Sequence, residues 1–315
     1  MAASSVDWNR IWQRQMMKNI LSEGNRDCVG YWNDERDAER YWREAQEHDF
    51  GRIGKTLKSL DISRSSRVLD IGAGPGVLTI PLAHRIKHVT AVEPSPGMMS
   101  VLQRKVRQFS LNNVRCIHKR WEEVDVEEDL SPPYDLVVAS FALGMLDLAS
   151  ALEKMQRVAG RCVCIYWFAG EPSWDVHFRN LTTLLHGTDY HPMPGCDVLF
   201  NVLYQMKIYP CLLTFPYTQT RKFASLEEAV DHYAPKYRAA DGRQKGLLRD
   251  YLREVLEAEN GFYLMRHNAT CAKIWWHTQT AEASLKRGAT GRLRHLQQRA
   301  NAAVSSIGER SPSLV

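Results

Sequence analysis

Between residues 66 and 170 short β-branched runs alternate with helical patterns: R-V-L-D-I, H-V-T-A-V-E, V-R-C-I-H, Y-D-L-V-V-A-S and R-C-V-C-I-Y-W-F. Strands separated by helix-length segments do not close as tight hairpins. Each crosses over through a helix to reach the next, which gives a parallel sheet with helices on its faces. The spacing therefore predicts an α/β fold, with any ligand held beyond the carboxyl ends of the strands. No apolar run approaches the eighteen residues that a membrane span requires, so no membrane association is expected.

Four stretches follow from the same pattern. Residues 1–60 read as helical and rich in aromatics, with Trp8 and Trp12 four apart and Tyr31-Trp32 and Tyr41-Trp42 on a charged helix. Residues 61–170 hold the alternating core. Residues 171–280 mix Pro/Gly loops with helices near 197–207, 224–237 and 243–258, and end in the strand-like T-C-A-K-I-W-W-H. Residues 281–315 read as a basic, disordered tail. The tail matters for the charge argument, because it carries six Arg or Lys against two Glu, almost all of the net charge of +5. The body is nearly neutral, which argues against a nucleic-acid groove. Seven cysteines without metal-like spacing, and no basic-then-apolar N-terminus, predict reduced thiols in a cytoplasmic protein.

The first strand runs into D-I-G-A-G-P-G-V-L-T-I, residues 70–80. Gly72, Gly74 and Gly76 permit a tight turn and close approach of a ligand to the backbone. A dinucleotide loop would place its third glycine at position 77, where Val77 stands, and no G-K-[ST] follows for a P-loop. Asp70, two residues ahead of the first glycine, would repel a pyrophosphate but suits a ligand with an ammonium group. The next strand ends in Glu93, twenty-three residues after Asp70, where a carboxylate can accept both hydroxyls of a ribose.

These residues, with A-V-E-P-S at 91–95 and Y-D-L-V-V-A-S at 134–140, resemble the class I S-adenosylmethionine-dependent methyltransferases. The resemblance covers about a third of the chain. It implies a Rossmann-like, doubly wound seven-stranded sheet closed by an antiparallel hairpin, and S-adenosyl-L-methionine as cofactor. Asp70, Gly72, Ala73, Gly74 and Gly76 would take the methionine part, and Glu93 with Pro94, Ser95 and Met98 the ribose side. Arg120, Trp121 and Glu122 would flank the adenine, where many relatives carry an Asp-Ala pair. Ser140 and Phe141 follow the fourth strand, and Tyr41, in a helix before the first, would point at the cofactor.

Beyond that third, residues 1–60 and the helices inserted before the last strand would form a lid over the crevice. Tyr166, His177, His191 and Tyr204 are candidate bases, and no spacing chooses among them. The leading expectation is methyl transfer to O, N, S or C of a small-molecule acceptor. The alternatives are a protein side-chain methyltransferase and a non-catalytic module that binds the cofactor. S-P-P-Y at 131–134 lies before its strand, where a turn explains it better than a base-holding motif. His84 and His88 span a helix end and a strand start, so no metal is expected. Cys162 and Cys164 alternate on one strand face as small apolar residues.

Overall fold

The computed structural model describes residues 6–24, 27–48 and 50–278; the expected basic tail at 281–315 lies outside them. Four helices precede the sheet: α1 (Trp8–Ser22), α2 (Cys28–Tyr31), α3 (Glu35–His48) and α4 (Phe50–Ser59). Asp7 starts α1 by accepting the Arg10 N–H at 3.0 Å, which satisfies one free donor of the first turn. On α3 the residues Ala38, Trp42 and Ala45 are buried, a spacing that turns one helical stripe inward.

The alternation expected from the sequence appears as β1 (Arg67–Ile71), α5 (Thr79–Ala83), β2 (His88–Val92), α6 (Pro96–Gln108), β3 (Val114–Ile117), β4 (Tyr134–Ser140), α7 (Leu148–Val158) and β5 (Ala159–Phe168). Beyond them lie α8 (Ser173–His186), α9 (Cys196–Gln205), β6 (Cys211–Phe223), α10 (Leu226–Lys236), α11 (Gly242–Val255), β7 (Glu257–Glu259) and β8 (Phe262–His277). The strand order is β3-β2-β1-β4-β5-β8-β6, with β7 pairing to β8, so the sheet has eight strands where seven were expected. The first five are parallel; β8 runs antiparallel to β5, and β6 to β8.

Two differences from the sequence reading bear on the site. The helix α8 lies between Gly170 and Gly187, where the sequence reading places no helix, although Trp174, Phe178, Leu181 and Leu185 mark a helical stripe. The strand β6 continues through Pro216 to Phe223, well past the Y-P-C-L-L-T-F that suggested it. Pro216 is tolerated because β6 is an edge strand, whose outer side needs no N–H. The pairing of β5 with β8 stops at Phe168 and Cys271, whereas β6 and β8 stay paired out to Phe223 and Tyr263. The β6/β8 ribbon thus overhangs the carboxyl end of the sheet and carries α10 and α11 there.

Apolar clusters fill both faces of the sheet. One packs Trp12, Leu152, Met155 and Leu199 from α1, α7 and α9; the other packs Trp42, Leu57, Leu82 and Leu102 from α3, α4, α5 and α6. Each such side chain contributes roughly 1.5–3 kcal/mol on burial. A third cluster, with Phe178, Tyr233, Leu248 and Leu252, is the core of the α8–α10–α11 cap. Trp12 and Trp167 are fully buried and donate their indole N–H groups to the carbonyls of Met145 and Pro194, so they brace the fold and do not roof the crevice. Cys162 and Cys164 are buried, and burial pushes their thiols up to about 11 and about 12, away from thiolate chemistry. No helix among the described residues is long and apolar enough to cross a membrane.

Candidate functional site

The loop after β1 is tied to the neighbouring strand, because the N–H groups of Gly72 and Ala73 both donate to the Val92 carbonyl at 2.8 and 3.0 Å. Gly72, Gly74 and Gly76 all have positive φ, of 69°, 56° and 94°. A Cβ on Gly72 would lie 2.2 Å from that of Ala142, and one on Gly76 would lie 2.7 Å from Leu102 Cδ1. Those two glycines answer to packing. At Gly74 a Cβ would meet nothing within 4 Å, so that side of the loop faces open space of the kind a ligand fills.

Asp70 and Glu93 bracket this space, and both are almost completely buried. Thr79 Oγ1 donates to Asp70 Oδ2 at 2.6 Å. Burial first, and then the nearby Glu93 carboxylate, push Asp70 up to about 7 against the one lowering hydrogen bond from Thr79. Glu93 is also raised, chiefly by burial, while the Gly74 and Ser95 N–H groups donate to its two oxygens at 2.8 Å each. Each oxygen keeps a second lone pair. Two buried carboxylates without a cation between them are costly to hold charged, and an ammonium with hydroxyl groups would satisfy both. This pair of acceptors fits an aminoacyl nucleoside such as S-adenosylmethionine.

The cavity at the loop has a volume of about 70 Å³, and its lining includes Tyr41, Asp70, Ala73, Gly74, Ser140 and Phe141. Tyr41 and Phe141 also line a second cavity of about 480 Å³, so the two adjoin. The larger one is walled by α1 and α3 on one side, by α8 and α10 on the other, and by the overhanging β6/β8 ribbon. Along it runs a succession of ring contacts: Phe141 to Phe168 at 4.9 Å, Phe168 to Trp174 at 5.2 Å, and Trp174 to His267 at 6.1 Å. Trp32, Tyr41 and Trp174 are among the aromatic residues that face this space.

The remaining expected residues are distributed unevenly. Ser95 is buried and its Oγ donates to the Trp32 carbonyl at 2.8 Å, tying the N-terminal helices to the loop after β2. Pro94 accepts from His118 Nε2 at 3.0 Å, and Met98 is buried at the start of α6. Trp121, expected to stack on adenine, is 2% exposed, sits in the core and donates to the Ala151 carbonyl, so no ring face is open to a purine. Arg120 is paired with Asp27 at 2.6 Å, and the Glu122 side chain is exposed.

The four candidate bases are not brought together. Tyr166 is buried against Ser59, 2.8 Å from its hydroxyl, and burial raises its phenol far above the ordinary range. His177 shares a hydrogen bond with Tyr251 at 2.8 Å, and burial, then Lys236, lower its pKa. His191 is exposed and engages α1 through its backbone. Tyr204 is 59% exposed on α9, which packs with α1 and α7. The larger cavity is instead lined by His232, His267, Arg221 and Lys236, none of them singled out by the sequence. The only sequence signal for them is the placement of two imidazoles and two cations among aromatic residues. Among the described residues, no group of three His, Cys, Asp or Glu is placed to hold a metal ion.

Comparison with known proteins fits this geometry. Residues 68–160 match the family model described as a methyltransferase domain. An uncharacterised protein of Haemophilus influenzae is 34% identical over 99 residues, covering 31% of this chain and 36% of that protein. A probable ribosomal RNA small subunit methyltransferase A of Methanosphaera stadtmanae is 32% identical over 92 residues, covering 29% and 32%. The match thus spans about a third of the length of these curated relatives. The crystal structure of the Bacillus subtilis YcgJ protein superposes with a TM-score of 0.50 at 16% identity, over 72% of this chain and 97% of that one, and shares the fold.

Gly74→Ala tests the loop. Its Cβ enters open space in the free protein, so stability should fall only by the left-handed backbone penalty of about 1–2 kcal/mol. S-adenosylhomocysteine affinity, measured by calorimetry, should fall much further. An unchanged affinity would remove Gly74 from the ligand surface.

Proposed function

We propose that this chain transfers the methyl group of S-adenosylmethionine to a small molecule enclosed in the larger cavity. The observation that supports this reading is the junction of the two cavities at Tyr41 and Phe141. When bound, the cofactor supplies a methyl carbon already made electrophilic by a sulfonium. Asp70 would hold its ammonium, the Gly72–Gly74 backbone its methionine part, and Glu93 its ribose hydroxyls. Phe141 and Tyr41, at the junction, would face the sulfonium charge and keep water from the line of attack. The protein then contributes mainly alignment. His232 and His267 are each held down to about 3, by burial first and then by Arg221 and by Lys236 respectively. They are neutral and weakly basic, which favours an acceptor atom that arrives already nucleophilic. A cytoplasmic setting with reduced thiols belongs to the same proposal.

A host lysate divided by ultrafiltration, incubated with methyl-labelled cofactor, tests the acceptor class. Label should enter the small-molecule fraction and disappear with Gly74→Ala. Label confined to a protein band would favour a protein side-chain methyltransferase, and label in RNA would align the chain with its ribosomal relative. Tight cofactor binding without any label would favour a non-catalytic module.

A further inference from the structure

The charges around the larger cavity are unequally satisfied. Arg40 is paired with Asp37, Arg221 with Glu44, and Asp27 with Arg120. Asp175 accepts from the Tyr190 hydroxyl at 2.8 Å. Arg221 also donates to His232 Nε2, which fixes that imidazole as an acceptor. Lys236 differs from all of these. Its ammonium lies 5.4 Å from the Phe178 ring centroid and 5.9 Å from that of Tyr233, and among the described residues it makes no hydrogen bond or ion pair. Of the carboxylates that act on it, Glu44 on α3 is paired with Arg221, Asp175 on α8 accepts from Tyr190, and Glu23, just after α1, makes no ion pair with it. Helix α10 brings Lys236 in at its last turn, beside the aromatic wall that begins at Phe141.

We infer that the methyl acceptor is a largely unsaturated molecule bearing one anionic group, which Lys236 holds in the larger cavity. The inference rests on the proposed small-molecule reading and names the substrate class for that same site. The physical reasons are three. The ring succession from Phe141 through Phe168 and Trp174 to His267, each ring turned by 35° to 80° from the one before, lines the cavity with both aromatic faces and edges, which suits an unsaturated ligand. An ammonium over ring faces retains donors that an anion can take, and such charge-assisted bonds are the stronger kind. The cost of the unpaired ammonium is also visible: burial, and then Arg221, hold Lys236 down to about 8 in spite of Glu23, Glu44 and Asp175 nearby. A bound anion would relieve that cost. The anion is distinct from the methyl-accepting atom, which lies at the Tyr41–Phe141 junction, so the product keeps its charge.

Two probes of matched shape decide it: 6-hydroxy-2-naphthoate and its neutral amide, titrated calorimetrically into the protein saturated with S-adenosylhomocysteine. The carboxylate should bind roughly tenfold or more tightly than the amide. Lys236→Met should erase that preference while leaving amide binding and S-adenosylhomocysteine affinity in place, and Lys236→Arg should keep it. Equal binding of acid and amide by the unaltered protein, with the cofactor product bound normally, would overturn the inference and leave the methyltransferase reading standing. Retention of the preference in Lys236→Met would overturn it equally. Failure to bind S-adenosylhomocysteine at all would bring down the functional reading first, and this inference with it.

Discussion

Asp70→Asn is expected to stabilise the ligand-free protein and to destroy its cofactor site. Asp70 is raised to about 7 in the folded chain against an unfolded value of 3.8. The folded state therefore binds more protons than the unfolded state between those values, and stability falls as pH rises from about 4 to about 7, then levels off. An amide does not pay this cost. At pH 8 the variant should gain a few kcal/mol, seen as a thermal midpoint several degrees higher. Binding should move the other way, since the group that would meet the ligand ammonium is gone, and S-adenosylhomocysteine affinity should drop roughly 100-fold or more. Unaltered protein should also release part of a proton on binding at pH 7, as the ammonium drives Asp70 to its charged form. Calorimetry in two buffers of different ionisation heat measures that proton, and the variant should not release it. A variant that is less stable yet binds normally would remove Asp70 from the site.

How far the sequence reached follows from how local each feature is. Asp70, the glycines and Glu93 are positioned by their own strand ends, and parallel pairing of β1 with β2 brings those ends side by side. A reader of the chain needs only the alternation of strands and helices to place them. Trp121 shows the limit of that logic. Its place just after β3 is local, but which way the indole turns depends on α7, whose Ala151 carbonyl captures it and whose Lys154 covers the ring at 5.2 Å. Tyr166 fails for a similar reason: α4 supplies Ser59 over it, and the phenol is sealed in the core.

The larger cavity was less legible still. Its far wall exists because the β6/β8 ribbon outlasts β5, a matter of pairing register between strands separated by α10 and α11. Lys236 and His267 lie thirty-one residues apart and meet across that overhang. Neither has a partner nearby in sequence that would mark it. Tyr204 looked comparable on paper, but α9 packs with α1 and α7 and leaves the ring exposed against Tyr209.

The N-terminal helices are seated by a contact that the sequence concealed, and Gly97→Ala should unseat them. Gly97 lies in the first turn of α6, and a Cβ there would stand 2.7 Å from the Asn33 carbonyl oxygen, 2.8 Å from Asp34 C and 2.9 Å from Glu35 N. All three are backbone atoms, so the start of α3 must move. Around that point α3 is fastened by Glu35 with Arg104, by Glu39 with Arg104 at 2.6 Å and with Lys105 at 2.8 Å, and the preceding segment by the Ser95 bond to Trp32. The same helix presents Tyr41, Arg40 and Glu44 to the cavity. Overpacking costs about 1–3 kcal/mol. Alanine returns up to about 1 kcal/mol of helix propensity, so the thermal midpoint should change little. The functional change should be large, with trypsin cutting at Arg36, Arg40 and Arg43 much faster, S-adenosylhomocysteine affinity falling, and methyl transfer lost. Gly54→Ala is the matched control, because its Cβ would meet nothing within 4 Å in α4. Wild-type cleavage and turnover in Gly97→Ala would mean that α3 tolerates displacement and does not form a wall of the working site.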